Sequence, residues 1–242
     1  MPLPEEAVAV ILAAGVGSRV GDRSPKQFLD LNGAPVLART VANLAWCARV
    51  VIVHHPEQLQ RTSSVVKQVG LHHAVTFVPG GPTRRGSISA ALATLPNLPD
   101  EVPLILQNAA SPNTPTRLVM QCLQALETYE VVQAYVPAIH TILRHENGDV
   151  SEILQRRTLA YSVDPTVYRL GSLRRIAAAQ ASEATEGEMT LDTAHALGIA
   201  VHLVESPDSN VKLTTLNDLV VLRALIPFKV PGHSTGDLDG SH

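Results

Sequence analysis

Two cations, Arg19 and Lys26, flank the end of a run of small residues, Ala13-Ala14-Gly15-Val16-Gly17-Ser18. Small residues let backbone N–H groups come close to an anion, and two cations on the same loop add formal charge to that cradle. The combination points to phosphate, and to a polyphosphate. Lys26 follows Pro25, so it is carried on backbone with a fixed φ rather than on a mobile stem. Two better-known phosphate loops do not fit. A P-loop needs G-x-x-x-x-G-K-[ST], and the stretch has no Gly-Lys pair; the dinucleotide fingerprint G-x-G-x-x-G fails because Val20 takes the place of its third glycine. A glycine turn after a strand needs no ligand by itself. The cations turn the reading toward chemistry.

Other candidate groups carry less. His54-His55 and His72-His73 are adjacent pairs that would point to opposite faces of a strand, which does not build a zinc site. Ser87, Ser111 and Ser162 lack a nucleophile context such as G-x-S-x-G. His140 could titrate near neutrality, or could be an ordinary solvated side chain. Cys47 and Cys122 have neither metal spacing nor a secreted context and are expected to be reduced thiols.

The elements that must position the loop alternate in kind. Residues 8–12, 49–54, 75–78, 103–107 and 131–136 are short apolar runs of the type buried on both faces of a sheet. Between them lie helical patterns: one after Pro35, one over 59–69, one over 88–95, and one capped by Thr114 with Pro115 at its first position. This rhythm predicts an α/β fold, a mostly parallel three-layer Rossmann-like sheet with ligands beyond the strands' carboxyl ends. From 138 to 163 the rhythm breaks and polar residues dominate, with Asn147-Gly148 as a hairpin signal. That segment is either a solvated hairpin or an arm. Helices are expected again over 171–181, 190–197 and 215–225, with a strand over 199–204. Residues 1–228 are thus expected to form a single domain and 229–242 a disordered tail.

Bulk numbers narrow the function. The chain has 242 residues, 45% hydrophobic and 3% aromatic, so aliphatic side chains must fill its core. A net charge of −3 offers no general attraction to nucleic acid or to an anionic membrane, so any anion site must be local. No apolar run is long enough to span a bilayer and the N-terminus lacks a signal layout, which leads to the expectation of a cytoplasmic protein.

The stretches L-A-A-G-V-G-S-R-V and P-K-Q-F-L-D-L-N-G-A-P-V-L-A-R-T resemble the 2-C-methyl-D-erythritol 4-phosphate cytidylyltransferases and the related ribitol-phosphate cytidylyltransferases. Weaker echoes continue to about residue 225. The resemblance implies a nucleotidyltransferase that moves CMP from CTP to a sugar- or polyol-phosphate, by family default 2-C-methyl-D-erythritol 4-phosphate, in isoprenoid precursor synthesis. Arg19 and Lys26 would be catalytic cations on the triphosphate, beside Ala13, Ala14, Gly15 and Gly17. Gly80, Gly81, Arg84 and Ser87 fit the family's G-G-x-x-R-x-x-S and would hold the cytosine and ribose, with Asn108 and Ala109 completing the nucleotide site. Thr141, Arg156 and Lys212 would bind the acceptor, the last two also as catalytic groups. The segment 138–163 would be an arm exchanged within a homodimer, and the cofactor would be Mg²⁺.

The chain departs from the family where the metal belongs. The usual His-Asp-Ala-Ala-Arg-Pro reads Gln107-Asn108-Ala109-Ala110-Ser111-Pro112, so Asn108 stands for a carboxylate ligand and Ser111 for an arginine. The Asp of D-N-[IV]-K is Ser209, with Asp208 beside it able to substitute only if the loop bends. Asn108 is left as the metal candidate. The Thr-Pro-Gln motif appears as Asp164-Pro165-Thr166, and a later Thr-Asp pair as Glu188-Met189. Two readings stand at this point: a working cytidylyltransferase, or a nucleotide-binding or partner-binding homologue that has lost its metal carboxylates.

Overall fold

A computed structural model of the protein describes residues 6–15, 25–71, 75–182 and 190–227. Gly17, Arg19, the pair His72-His73, Glu188-Met189 and the tail 229–242 lie outside the described residues.

Nine strands and seven α-helices are described. The first half alternates as expected: β1 (Val8–Ala13), α1 (Val36–Asn43), β2 (Arg49–His54), α2 (Leu59–Lys67), β3 (Val75–Pro79), α3 (Arg84–Ala93), β4 (Pro103–Asn108), α4 (Thr116–Ala125) and β5 (Val131–Pro137). A hairpin follows, β6 (Ile142–Glu146) and β7 (Asp149–Leu154), then β8 (Ala160–Arg169), α5 (Leu170–Ser182), α6 (Thr190–Ala196), β9 (Val201–Glu205) and α7 (Leu216–Leu225). The main sheet has seven strands in the order β3-β2-β1-β4-β8-β5-β9, and β6-β7 forms a separate pair. All neighbours in the main sheet are parallel except β8, which is antiparallel to both β4 and β5.

Alternation along the strands builds the three layers. Ala9 and Ile11 face the cluster formed with Leu37, Val41, Leu118 and Val119 of α1 and α4. Val8 and Val10 face the opposite cluster with Ile88 of α3 and Leu173 and Ile176 of α5. Successive side chains of a strand point to opposite faces, so a strand covered on both, such as β1, is apolar along its length. A third cluster docks α7 through Leu219, Leu222 and Ile226 onto Leu31, Val36 and Leu213. Asn32, with φ of 52°, secures the same helix by donating to the Ile226 carbonyl at 2.5 Å.

Several details differ from the pattern-based expectation. Helix α3 begins at Arg84 rather than 88, because the Thr83 hydroxyl accepts from the Gly86 N–H at 3.0 Å and caps it. Helix α4 begins at Thr116, after Pro115. Thr114 does not cap it: its hydroxyl accepts from Gln107 Nε2 at 2.8 Å and lies 3.0 Å from Asn210 Oδ1. Buried amides compete for that hydroxyl and win it. Strand β8 is absent from the expected set because Asp164-Pro165 interrupts its apolar run; the peptide bond between them is cis. The hairpin at Asn147-Gly148 is as expected, with φ of 51° and 96° at the two turn residues. Among the described residues no helix is long and apolar enough to cross a membrane.

Cys47 and Cys122 are both buried in the first cluster, and burial pushes each thiol up to about 12. The thiolate is the reactive form, so both should resist alkylation at neutral pH in the folded protein and react only after denaturation. A count of modified thiols before and after denaturation checks this.

Candidate functional site

The carboxyl ends of β1, β3 and β4 open onto a cavity of about 230 Å³. Ala13, Ala14 and Gly15 line it from the end of β1, and a Cβ built at Gly15 would meet no protein atom within 4 Å. Lys26 lines it from the short helical turn after Pro25, with buried Gln27 beside it. Gln27 Nε2 donates to the carbonyls of Ala13 at 3.0 Å and Gly15 at 3.3 Å, tying the Lys26 segment to the first loop. Gly81, Arg84 and Ser87 contribute from the second loop and the start of α3, Asn108 and Ala109 from the end of β4, and Lys212 from the loop before α7.

The second loop rests directly on the first. Gly80 donates to the His54 carbonyl at 2.8 Å, and a Cβ placed there would lie 2.4 Å from the Ala14 Cβ and 2.9 Å from Ser87 Oγ. At Gly81 a Cβ would lie 2.9 Å from the backbone of Gly86. Both glycines are therefore required by close approach. Gly80 supports the cavity from behind instead of lining it.

A second cavity, of about 270 Å³, adjoins the first and shares Arg84, Asn108 and Lys212 with it. Gln133, Ser162, Asp164, Thr166 and Thr190 line it with polar side chains. Arg84 donates from its guanidinium to Asn108 Oδ1 at 2.8 Å. Asn108 Nδ2 donates to both carboxylate oxygens of Asp164, at 2.7 and 3.0 Å, and Ser111 Oγ donates to Asp164 Oδ2. Asn210 Nδ2 donates to the Asp164 backbone carbonyl at 2.6 Å and fixes the loop that carries Lys212.

Thr141 and Arg156 are exposed on the arm and line neither cavity; Arg156 donates to the Ile139 carbonyl at 2.6 Å. The Asp208 loop does bend, with Asn210 N–H donating to the Pro207 carbonyl, yet Asp208 stays exposed and outside both cavities. Three residues at the site carry little signal in the linear pattern. Gln27 could have been noticed as the polar neighbour of Lys26, and Thr83 as a cap three residues before Gly86. Asp164 is legible only as a pair: an acid missing at 108 and an acid present at 164.

The donor set does not fit a protein-held magnesium ion. Magnesium asks for oxygen ligands, commonly one or two carboxylates with phosphates and water. Asn108 Oδ1 is occupied by a cation, and the Asp164 oxygens are taken up by donors of Asn108 and Ser111. Among the described residues no three His, Cys, Asp or Glu side chains come together as a metal cluster.

The close seating of the two loops predicts that Gly80→Ala will destabilise the protein by about 1–3 kcal/mol, the usual cost of overpacking. Ala14→Gly in the same chain should recover a large part of that loss, because it removes the atom nearest the new methyl. Thermal denaturation of the single and double variants measures both effects.

A family model described as 2-C-methyl-D-erythritol 4-phosphate cytidylyltransferase matches residues 7–227. The enzyme of that name from Thermosynechococcus vestitus is 33% identical over 224 residues, covering 90% of this chain and 94% of its own length. The bifunctional ribulose 5-phosphate reductase/CDP-ribitol pyrophosphorylase Bcs1 of Haemophilus influenzae is 29% identical over 224 residues. That match takes in 88% of this chain but 47% of the relative, so the chain spans about half of the bifunctional protein. The crystal structure of 4-diphosphocytidyl-2C-methyl-D-erythritol synthase from Anaerococcus prevotii superposes with a TM-score of 0.77 at 16% identity, covering 91% of this chain and 95% of that one. The fold is shared with that structure, and the extent of the family match, over nearly every element that builds the two cavities, shows that the chain belongs to the 2-C-methyl-D-erythritol 4-phosphate cytidylyltransferase family.

Proposed function

We propose that the protein is a cytidylyltransferase that joins CMP from CTP to a phosphorylated polyol, with 2-C-methyl-D-erythritol 4-phosphate as acceptor and pyrophosphate as the other product. The observation that carries this reading is the pair of adjoining cavities with Lys212 and Arg84 on their common boundary. A phosphoryl-group transfer needs two anions brought together, and charge repulsion opposes their approach. Cations on the boundary offset that repulsion at the place where it is largest.

The nucleotide occupies the first cavity, its phosphates against Ala13, Ala14, Gly15 and Lys26 and its base and ribose against Gly81 and Ser87. Gly17 and Arg19, outside the described residues, are assigned to the triphosphate by their place in the sequence motif they share with the family. The acceptor phosphate enters from the second cavity. One of its oxygens attacks the α-phosphorus, a new P–O bond forms, and the bond from the α-phosphorus to the bridging oxygen breaks to release pyrophosphate. Lys26 and Lys212 then stabilise charge on the leaving and entering sides. Mg²⁺, which the family generally uses, enters no step here.

The arm favours a homodimer. Ile139, Leu143, Val150 and Ile153 are all more than 45% exposed on it, with Ile153 at 68%. An isolated two-stranded hairpin gains little by itself, and apolar side chains held out in this way fit a protein partner. In the dimer, Thr141 and Arg156 would complete the acceptor site of the other protomer. Two buried, reduced thiols suit a cytoplasmic enzyme acting on soluble metabolites. The non-catalytic alternative draws on the missing acids alone, whereas Lys26, Arg84 and Lys212, cations of the kind a transfer needs, line the cavities and support the catalytic reading.

Pyrophosphate release from CTP should require an acceptor, with 2-C-methyl-D-erythritol 4-phosphate and ribitol phosphate tested side by side. Lys26→Ala and Lys212→Ala should each lower kcat on the order of 10²–10³, as loss of one preorganised charge contact does. No release with either acceptor, together with no CTP binding by calorimetry, would overturn the proposal. Replacing residues 140–157 by a short Gly-Ser linker should give monomers by light scattering that still bind CTP and no longer turn over.

A further inference from the structure

Asn108, Ser111 and Asp164 form one arrangement. Strand β4 pairs antiparallel with β8, and the ladder runs through Ile105 opposite Val167 to Leu106 opposite Thr166. Carried two residues further, the same register sets Asn108 opposite Asp164. Like charges directly opposite on neighbouring strands repel. Asp164 is only 7% exposed, so an acid at 108 would face it with little water between. Asparagine has the shape of the acid without the charge, and here its orientation is chemically forced. A guanidinium can only donate and a carboxylate can only accept, so Oδ1 must face Arg84 and Nδ2 must face Asp164. Ser111 supplies a second side-chain donor to the same carboxylate. Asn108 and Ser111 are what a buried acid at 164 calls for.

We infer that the acid of this site has moved across the sheet from 108 to 164 and now serves a different purpose. Asp164 is a positioning residue that holds Arg84 at the nucleotide cavity through Asn108, and the chain adds no carboxylate ligand to a divalent ion. This inference rests on the proposed use of the first cavity for CTP. Any divalent ion would then have to be held by the nucleotide's own oxygens, while Arg84 places a fixed charge beside Asn108, the position where the family pattern has an acid. The chain Arg84–Asn108–Asp164–Ser111 spans both cavities, so its order is felt by donor and acceptor alike.

Two measurements test it. Mn²⁺ is titrated by electron paramagnetic resonance into CTP alone and into the wild-type protein saturated with CTP. Equal affinity, within about threefold, is expected, because a site that adds no ligand adds no coupling. Affinity at least about tenfold tighter on the protein would make the chain a metal ligand and overturn the inference. The second measurement is a cycle of CTP affinities by calorimetry in wild type, Asp164→Asn, Arg84→Ala and the double variant. Removing an anion from a cation-lined cavity would by charge alone tighten CTP. Asp164→Asn should instead weaken it, on the order of tenfold, and should have no further effect in the Arg84→Ala background. Tighter or unchanged binding in the single variant, or an equal loss in both backgrounds, would overturn the positioning role. The Mn²⁺ titration uses only wild-type protein, so it decides whether the chain ligates the ion even where a variant does not fold. Absence of CTP binding by the wild type would overturn the proposed function and this inference with it, whereas CTP binding with tighter Mn²⁺ would overturn the inference alone.

Discussion

Strand β8 is held on both edges, by β4 on one side and β5 on the other, and it runs against both. Its direction follows from how it arrives. The chain leaves β5 at the carboxyl edge of the sheet, makes the hairpin β6-β7 outside it, and comes back through one short 3-10 turn, Arg156–Thr158, with no α-helix between. A returning strand without a crossover can only be antiparallel. The arm, the second cavity and the Asp164 contacts all depend on this reversal. Residues between Pro137 and Ala160, which pair at the point where the strands meet the edge, are left outside the sheet. The register shift between Gln133 and Tyr135 leaves residues 163–165 opposite a single residue of β5.

The electrostatics of the site are local because the chain as a whole is slightly acidic. Lys26 comes from a turn stitched to β1 by Gln27, Arg84 from a helix started by Thr83, and Lys212 from a loop whose neighbour Asn210 bonds to Asp164. Each cation is set by a different element. The amides that hold them are nearly all buried, where an unmet hydrogen bond costs more than in water, so the alternatives are penalised. Gln107 shows the same economy: its Nε2 is shared between Thr114 Oγ1 and the Ser111 carbonyl, which turns Thr114 away from helix capping. A residue that would serve a local role is taken over by a buried polar group that has few other partners.

Much of this was legible in the linear pattern. The apolar runs of β1, β2, β4 and β5 are mostly β-branched or aliphatic, as strands buried on both faces require, and their buried polar exceptions His54, Gln107 and Gln133 are each hydrogen-bonded. Gly15 and Lys26 stood out by residue type, since small residues and a Pro-anchored cation at a strand end suit an anion, whereas Gly80, Gly81, Arg84 and Lys212 were picked out by resemblance to the family's motifs. Element starts were harder. The first turn of α3 is Arg84-Arg85-Gly86, with no apolar face to show, and only the Thr83 hydroxyl marks it. Strand β8 was hidden because Asp164 and Pro165 interrupt its pattern.

By itself, then, the sequence determined the layer order, the positions of the phosphate-type loops and the local character of the charge, since these rest on periodicity and on conformational limits of single residues. Tertiary structure alone decided where the acid went. Asn108 and Asp164 are 56 residues apart in the chain, and their contact exists only because an antiparallel register brings strand ends together. Side-chain chemistry at 108 reads as a loss until its neighbour is known. Once Asp164 lies across from it, the same amide is the group that lets a buried carboxylate and a guanidinium share one site, because it alone among residues of that size accepts on one side and donates on the other.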